Sequence, residues 1–313
     1  MLSGVRRVIA GRRAPVAGAV AATAALGALT VAPVSAAPAY PVSYDFASGF
    51  AAGALTPGTP PPGADVGCRP SAAHPEPVVL VHGTFENQDD NWQALSPLLA
   101  DSGYCVYSFN YGGTSPSNPI QGTGDIAASA GQLASYVSSV LAGTGAAKVD
   151  IVGHSQGGMM PRYYLRFLGG AAKVDTLVGL SPSNHGTTAS GLLSLVRALP
   201  FGNTALGVAC TACVEQEDGS RFLTALNAGG DTVAGVRYTV IETRYDEVVT
   251  PYTSALLTGP AVTNVVLQDQ CPLDFSEHVT TPYDPVALHD VLNALDPATA
   301  TPPTCTLVLP FTG

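Results

Sequence analysis

The run Val149-Asp150-Ile151-Val152-Gly153-His154-Ser155-Gln156-Gly157-Gly158 constrains the fold more than any other part of the chain. A short apolar, β-branched strand passes directly into a Gly-x-Ser-x-Gly turn. A helical pattern then begins at Gln156 and carries Met159, Met160, Tyr163, Tyr164 and Phe167. Such a turn holds Ser155 on a strained backbone, flanked by glycines because a Cβ has no room there. The hydroxyl then projects above the sheet, beside the unpaired N–H groups and positive dipole end of the next helix. With 34 glycines in the chain the string alone could be a glycine-rich connection. The strand before it and the helix after it favour a nucleophile.

The flanking sequence repeats the alternation. Strands are expected at Pro77 to Val81, Cys105 to Phe109, Val149 to Val152, Val174 to Leu180, Val236 to Ile241 and Val262 to Leu267. Helices are expected at Asp90 to Ala100, Ile126 to Leu141, Gln156 to Leu168 and Pro285 to Leu295. Uninterrupted apolar strands separated by helices predict an α/β fold, with a mostly parallel sheet covered on both faces. Ligands bind such sheets at the carboxyl ends of the strands. Residues 37–75, rich in Pro and Gly, are expected to form an irregular arm before a domain spanning 76–313, with 298–313 as its tail. About 55 residues separate Leu180 from Val236, too many for an ordinary connection. They predict an insertion over 186–230 in which the apolar stretch Ser190 to Phe201 is either a crossover helix or part of a cap.

Arg6, Arg7, Arg12 and Arg13 precede an apolar, Ala-rich run that ends at Val34-Ser35-Ala36. This pattern predicts a signal peptide over 1–36, a secreted product and no transmembrane anchor. The Arg12-Arg13 pair leaves a twin-arginine route open. Removing four arginines and no acids takes the net charge from −10 to −14. An acidic surface argues against nucleic acid as a partner. Six cysteines in an exported chain allow three disulfides, and position favours Cys68 with Cys105, Cys210 with Cys213, and Cys271 with Cys305. The Cys210-Thr211-Ala212-Cys213 spacing also suits a redox pair or half a zinc site, but no second such pair accompanies it.

A serine hydroxyl needs a base, and the base needs an orienting acid. After an elbow of this kind they follow in the order Asp or Glu, then His. Asp246 follows the strand ending at Ile241, and His278 lies in the loop before the closing helix. His289 falls on the polar face of that helix with Asp290 and Asn293, and is the weaker candidate base. An oxyanion beside Ser155 would be met by the N–H groups of Gln156 and Thr84. His82 is expected to brace the Thr84 loop; Phe85 is expected to contact substrate. His185 follows a strand and could line the site, while His74 and His154 read as structural or solvated.

Together, Pro77-Val78-Val79-Leu80-Val81-His82-Gly83-Thr84, Gly153-His154-Ser155-Gln156-Gly157-Gly158, Ser183-Asn184-His185-Gly186-Thr187 and Glu277-His278-Val279-Thr280 with Tyr283-Asp284-Pro285-Val286-Ala287-Leu288 resemble the exported bacterial class 2 lipases of the α/β-hydrolase fold, a group common in actinobacteria. The resemblance spans roughly Gly63 to Pro297. It implies triacylglycerol hydrolysis through an acyl-enzyme, with no metal or other cofactor and the base role on His278. The expected partner is a lipid or ester substrate at an oil–water interface, met by a monomer. A carboxylesterase, a polyester hydrolase or an acyltransferase would use the same chemistry. A secreted binding protein that kept the fold and lost the chemistry is a further alternative, against which the intact Ser, Asp and His set argues.

Overall fold

The computed structural model describes residue 11 and residues 40–64, 67–190 and 202–312. The chain divides into Met1–Ala37 and Pro38–Gly313, and the second unit is the one described below. The expected signal peptide over 1–36, apart from residue 11, and the apolar stretch from 191 to Phe201 lie outside the described residues. Among the described residues no helix is long and apolar enough to cross a membrane.

In chain order the elements are α1 (Phe46–Leu55), β1 (Val78–Val81), α2 (Leu95–Asp101), β2 (Val106–Ser108), α3 (Ile126–Thr144), β3 (Val149–His154), α4 (Gln156–Phe167) and β4 (Val174–Leu180). They continue with α5 (Gly202–Ala209), α6 (Thr211–Glu215), α7 (Arg221–Asn227), β5 (Arg237–Glu242), β6 (Val262–Val266), α8 (Leu267–Gln270) and α9 (Pro285–Leu295). The strands form one sheet in the order β2-β1-β3-β4-β5-β6, and every neighbouring pair is parallel. A parallel sheet needs helices on both faces, and the alternation of side chains shows where they sit. Val79, Val81 and Ile151 share one core with Leu133 and Val137 of α3 and Met159 of α4. Val78, Leu80 and Val152 point the other way, against Leu95 and Leu99 of α2 and Leu288 and Val291 of α9. All of these side chains are fully buried, each contributing about 1.5–3 kcal/mol.

Two segments depart from the sequence expectation for local reasons. Residues 37–75 are not uniformly irregular, because α1 forms within them. Asp45 caps it by accepting the Ser48 N–H at 2.7 Å, and the helix ends just before Pro57. Averaging composition over the arm hid this proline-free decapeptide. The helix expected from Asp90 begins only at Leu95. Asn87 and Asp90 explain the delay: the Asp90 carboxylate accepts the Asn87 N–H and side-chain amide at 2.8 and 2.7 Å, so side chains take the bonds a helix would make.

Candidate active site

The carboxyl ends of β1, β3 and β5 open onto one cavity of about 370 Å³, lined by Thr84, Phe85, Ser155 and His278 among others. Ser155 joins β3 to α4 with φ 52° and ψ −122°, a conformation that non-glycine residues seldom adopt. Its neighbours show why the turn is written with glycines. A Cβ on Gly153 would sit 1.9 Å from the Gly157 carbonyl oxygen, and one on Gly157 would sit 2.0 Å from that of Val81.

Asp246 lies four residues past the end of β5, and its Oδ2 meets His278 Nδ1 at 2.7 Å. Its Oδ1 accepts the N–H groups of Val248 and Val249 at 2.9 and 2.6 Å. Burial opposes the charge on Asp246, but the His278 charge and these hydrogen bonds outweigh it and hold the carboxyl below its usual range. Burial likewise opposes a charged His278, yet Asp246, with smaller help from Glu86 and Glu247, raises it above 6.5. With Nδ1 engaged by a carboxylate, Nε2 is the nitrogen left for the cavity.

Glu242 is the last residue of β5 and is fully buried. Burial, reinforced by Asp246, pushes its carboxyl well above the ordinary range, so Asp246 is the charged member of the two. His289 Nε2 donates to the Thr301 carbonyl at 2.8 Å, and His289 is not part of the cavity lining. Asp290 is not on a solvated face as its helical position suggests; it is buried and hydrogen-bonded to Gln270.

The Thr84 hydroxyl oxygen accepts from Gln156 Nε2 at 3.2 Å and from Gln216 Nε2 at 2.9 Å. Two donors occupy its acceptor positions, so its own hydrogen is left as a donor toward the cavity. The first N–H groups of α4, beginning with Gln156, have no partner within the helix. Phe85 lines the cavity 55% exposed, at φ 71°, with its N–H given to Gln121. His82 is buried, stacks on Tyr111, bonds the Gly83 carbonyl at 2.8 Å and is pushed by burial down to about 4.

His154 is buried rather than solvated, and it ties three parts of the site together. Its Nε2 donates to the His278 carbonyl at 2.9 Å and its Nδ1 meets Glu86 Oε2 at 2.8 Å. The same Glu86 oxygen accepts the Gly83 N–H at 2.8 Å. Burial opposes ionisation of Glu86, but His154 outweighs it and holds the carboxyl below its usual value. His185, expected to line the site, is drawn away from it: its ring bonds the Ser254 carbonyl at 2.9 Å and Asp231 at 3.0 Å. His74 stacks on Tyr104.

Glu86, Gln216, Phe46 and Phe50 border the cavity and were not singled out from sequence. Gln216 sits just past α6 in the long insertion, where no motif marks it; Phe46 and Phe50 sit in the arm. Disulfides join Cys68 to Cys105, Cys210 to Cys213 and Cys271 to Cys305, and Cys213 also borders the cavity. Among the described residues no group of three or more His, Cys, Asp or Glu side chains is arranged to hold a metal ion.

Comparison with known proteins follows the same outline. The model of the family described as Lipase (class 2) matches residues 75–289. A triacylglycerol lipase of Pseudarthrobacter phenanthrenivorans is 41% identical over 97 residues, covering 29% of this chain and 28% of that protein. Lipase B of Pseudozyma antarctica is 28% identical over 193 residues, covering 60% of this chain and 50% of that protein. The chain thus spans half or less of the length of these curated relatives. The crystal structure of Aspergillus fumigatus lipase B superposes with a TM-score of 0.60 at 22% identity, covering 78% of this chain and 56% of that one. The shared architecture is the α/β-hydrolase fold. With the family model matched across the sheet, the elbow and the His278 loop, this chain belongs to the class 2 lipase family.

Proposed function

We propose that the protein is an exported carboxylic ester hydrolase that cleaves triacylglycerols through an acyl-enzyme on Ser155. The observation that carries this reading is the 2.7 Å bond from His278 Nδ1 to Asp246 Oδ2, made at the wall of the cavity onto which Ser155 opens. Family membership and the triacylglycerol lipases among the relatives support the substrate class. The arginine-led apolar N-terminus and three disulfides support export.

In this mechanism His278 Nε2 takes the Ser155 proton as the hydroxyl oxygen attacks the ester carbonyl. The Asp246 carboxylate holds the ring in the required tautomer and stabilises the imidazolium that forms. The negative charge on the tetrahedral intermediate is met by the Gln156 and Thr84 N–H groups and by the Thr84 hydroxyl hydrogen. His278 then returns the proton to the leaving alcohol, and water repeats the sequence to release the acid.

Hydrolysis of emulsified tributyrin and of p-nitrophenyl butyrate tests the proposal. Ser155→Ala and His278→Ala are each expected to lower kcat by at least about 10³-fold. A Ser155→Ala protein that keeps its rate would refute the role of Ser155.

A further inference from the structure

α1 is the element of the arm that composition concealed, and its sequence, Phe-Ala-Ser-Gly-Phe-Ala-Ala-Gly-Ala-Leu, carries two registers on one side. Gly49 and Gly53 are spaced four apart, as are Phe46 and Phe50, so the four residues make one stripe along the helix. The glycines bring the backbone down onto the body of the domain. A Cβ on Gly49 would stand 2.0 Å from the Tyr283 hydroxyl oxygen, and one on Gly53 would stand 2.1 Å from Asp90 Cβ. Phe46 packs edge-on to Tyr283 with ring centres 5.7 Å apart, and Phe50 follows at 5.9 Å from Phe46.

Both ends of the helix are fastened. The Phe46 N–H donates to the Thr312 carbonyl at 3.2 Å, and just past its last turn the Thr56 hydroxyl donates to Asp89 at 2.6 Å. Its seat is therefore the segment that follows Thr84, together with the residues that follow His278. From that seat both phenyl groups border the same cavity as Ser155, whose lining also includes Val248, Val249 and Val279.

Phe50 is 55% exposed, more than docking of the helix requires. Its ring and that of Phe85, equally exposed, both border the cavity. Asp90, which also borders the cavity, has its carboxyl pushed up to about 8 by burial and by Glu86. The two phenyl rings of α1 are the part of this lining that an aliphatic chain can be laid against.

We propose that α1 is the chain-binding wall of the site, with Phe50 the contact that gives long aliphatic chains their advantage over short ones. This rests on the ester-hydrolase reading above. Each methylene laid against the wall and removed from water is worth about fourfold in binding. The chain belongs either to the acyl group or to the alcohol, and the same variant separates the two.

The test compares wild type, Phe50→Ala and Leu55→Ala; Leu55 is on the same helix, 82% exposed and outside the cavity lining. The readout is the kcat/KM ratio of long to short esters in two series, p-nitrophenyl acetate to decanoate and methyl to octyl butyrate. Phe50→Ala is expected to lower the long-to-short ratio at least threefold in one series, which identifies the side on which the chain lies. Leu55→Ala should leave both ratios at the wild-type value. A Phe50→Ala ratio within threefold of wild type in both series overturns the proposal, as does an equal fall with Leu55→Ala. Binding of cis-parinaric acid to Ser155→Ala, with and without Phe50→Ala, needs no turnover. At least threefold weaker binding in the double variant supports the wall, and equal binding overturns it. A wild-type protein that hydrolyses no ester would instead refute the catalytic reading and leave this binding result to stand on its own.

Discussion

Ser155 is held at φ 52° by contacts that a single added methyl would break, so the strain at the proposed nucleophile is stored in the packing of Gly153 and Gly157 around it. The groups facing Ser155 are held as tightly. His278 is fixed at its ring by Asp246 and at its carbonyl by His154, and His154 is paired with Glu86, which also grips the Gly83 N–H next to Thr84. We expect Glu86→Gln to lower kcat by about tenfold with KM little changed, since it loosens positioned groups without touching substrate. A KM effect with unchanged kcat would count against that role. Thr84→Val keeps the backbone N–H and removes only the hydroxyl; the expected loss is about 10–100-fold in kcat, below that for a whole oxyanion donor. His278 titrates above 6.5, and only its neutral form can accept a proton. Activity should therefore fall as pH drops through that raised value, with Asp246, Glu86 and Glu247 as the carboxylates that hold it up. Asp246→Asn should move this acid limb to lower pH while cutting the rate, a shift that a pH profile of kcat/KM reads directly.

The elements explain which of these residues are legible in the sequence. β3 and α4 were legible because the change from an apolar run to helical spacing happens across Ser155 itself. Asp246 and His278 stood out by lying after late strands, in the order an elbow of this kind imposes. Gln216 and His154 could not be read that way: the first acts across 132 positions on Thr84, and the second pairs with a glutamate 68 positions away. His185 had the right position after β4, but Asp231 and Ser254 take both its ring nitrogens. Within β3 the buried Asp150 makes a prediction of its own. Burial lifts its carboxyl to about 7, partly offset by the Thr176 N–H it accepts at 3.0 Å. Its folded value lies above the unfolded one, so the native state binds the extra proton and stability falls as pH rises from about 4 to 7. Asp150→Asn keeps an acceptor for Thr176 and has no charge to bury. Its melting temperature should exceed that of wild type at pH 8, by a free energy no larger than about 4 kcal/mol, and match wild type at pH 4. An equal change at both values would show that charge is not the cause.

On the scale of the whole molecule, a mostly parallel sheet with two covering layers followed from the alternation of apolar strands and helices, and the sheet proves parallel at every pair; the docking of α1 did not follow, because its seat is built from residues some 40 and some 230 positions away. The chain is stitched late as well as early. Cys271–Cys305 closes a loop of 34 residues and ties the tail to the start of the His278 loop. Replacing both by serine should cost about 3–4 kcal/mol in chemical denaturation, with the active-site groups retained in the folded fraction. The central claim is that four distant segments meet to make one activated serine, and covalent labelling of the intact protein tests it most directly. A fluorophosphonate should add once per chain, with peptide mass spectrometry locating it at Ser155, and should fail to add to Ser155→Ala or, within the same reaction time, to His278→Ala. Labelling at another serine, or unchanged labelling in Ser155→Ala, would contradict the account.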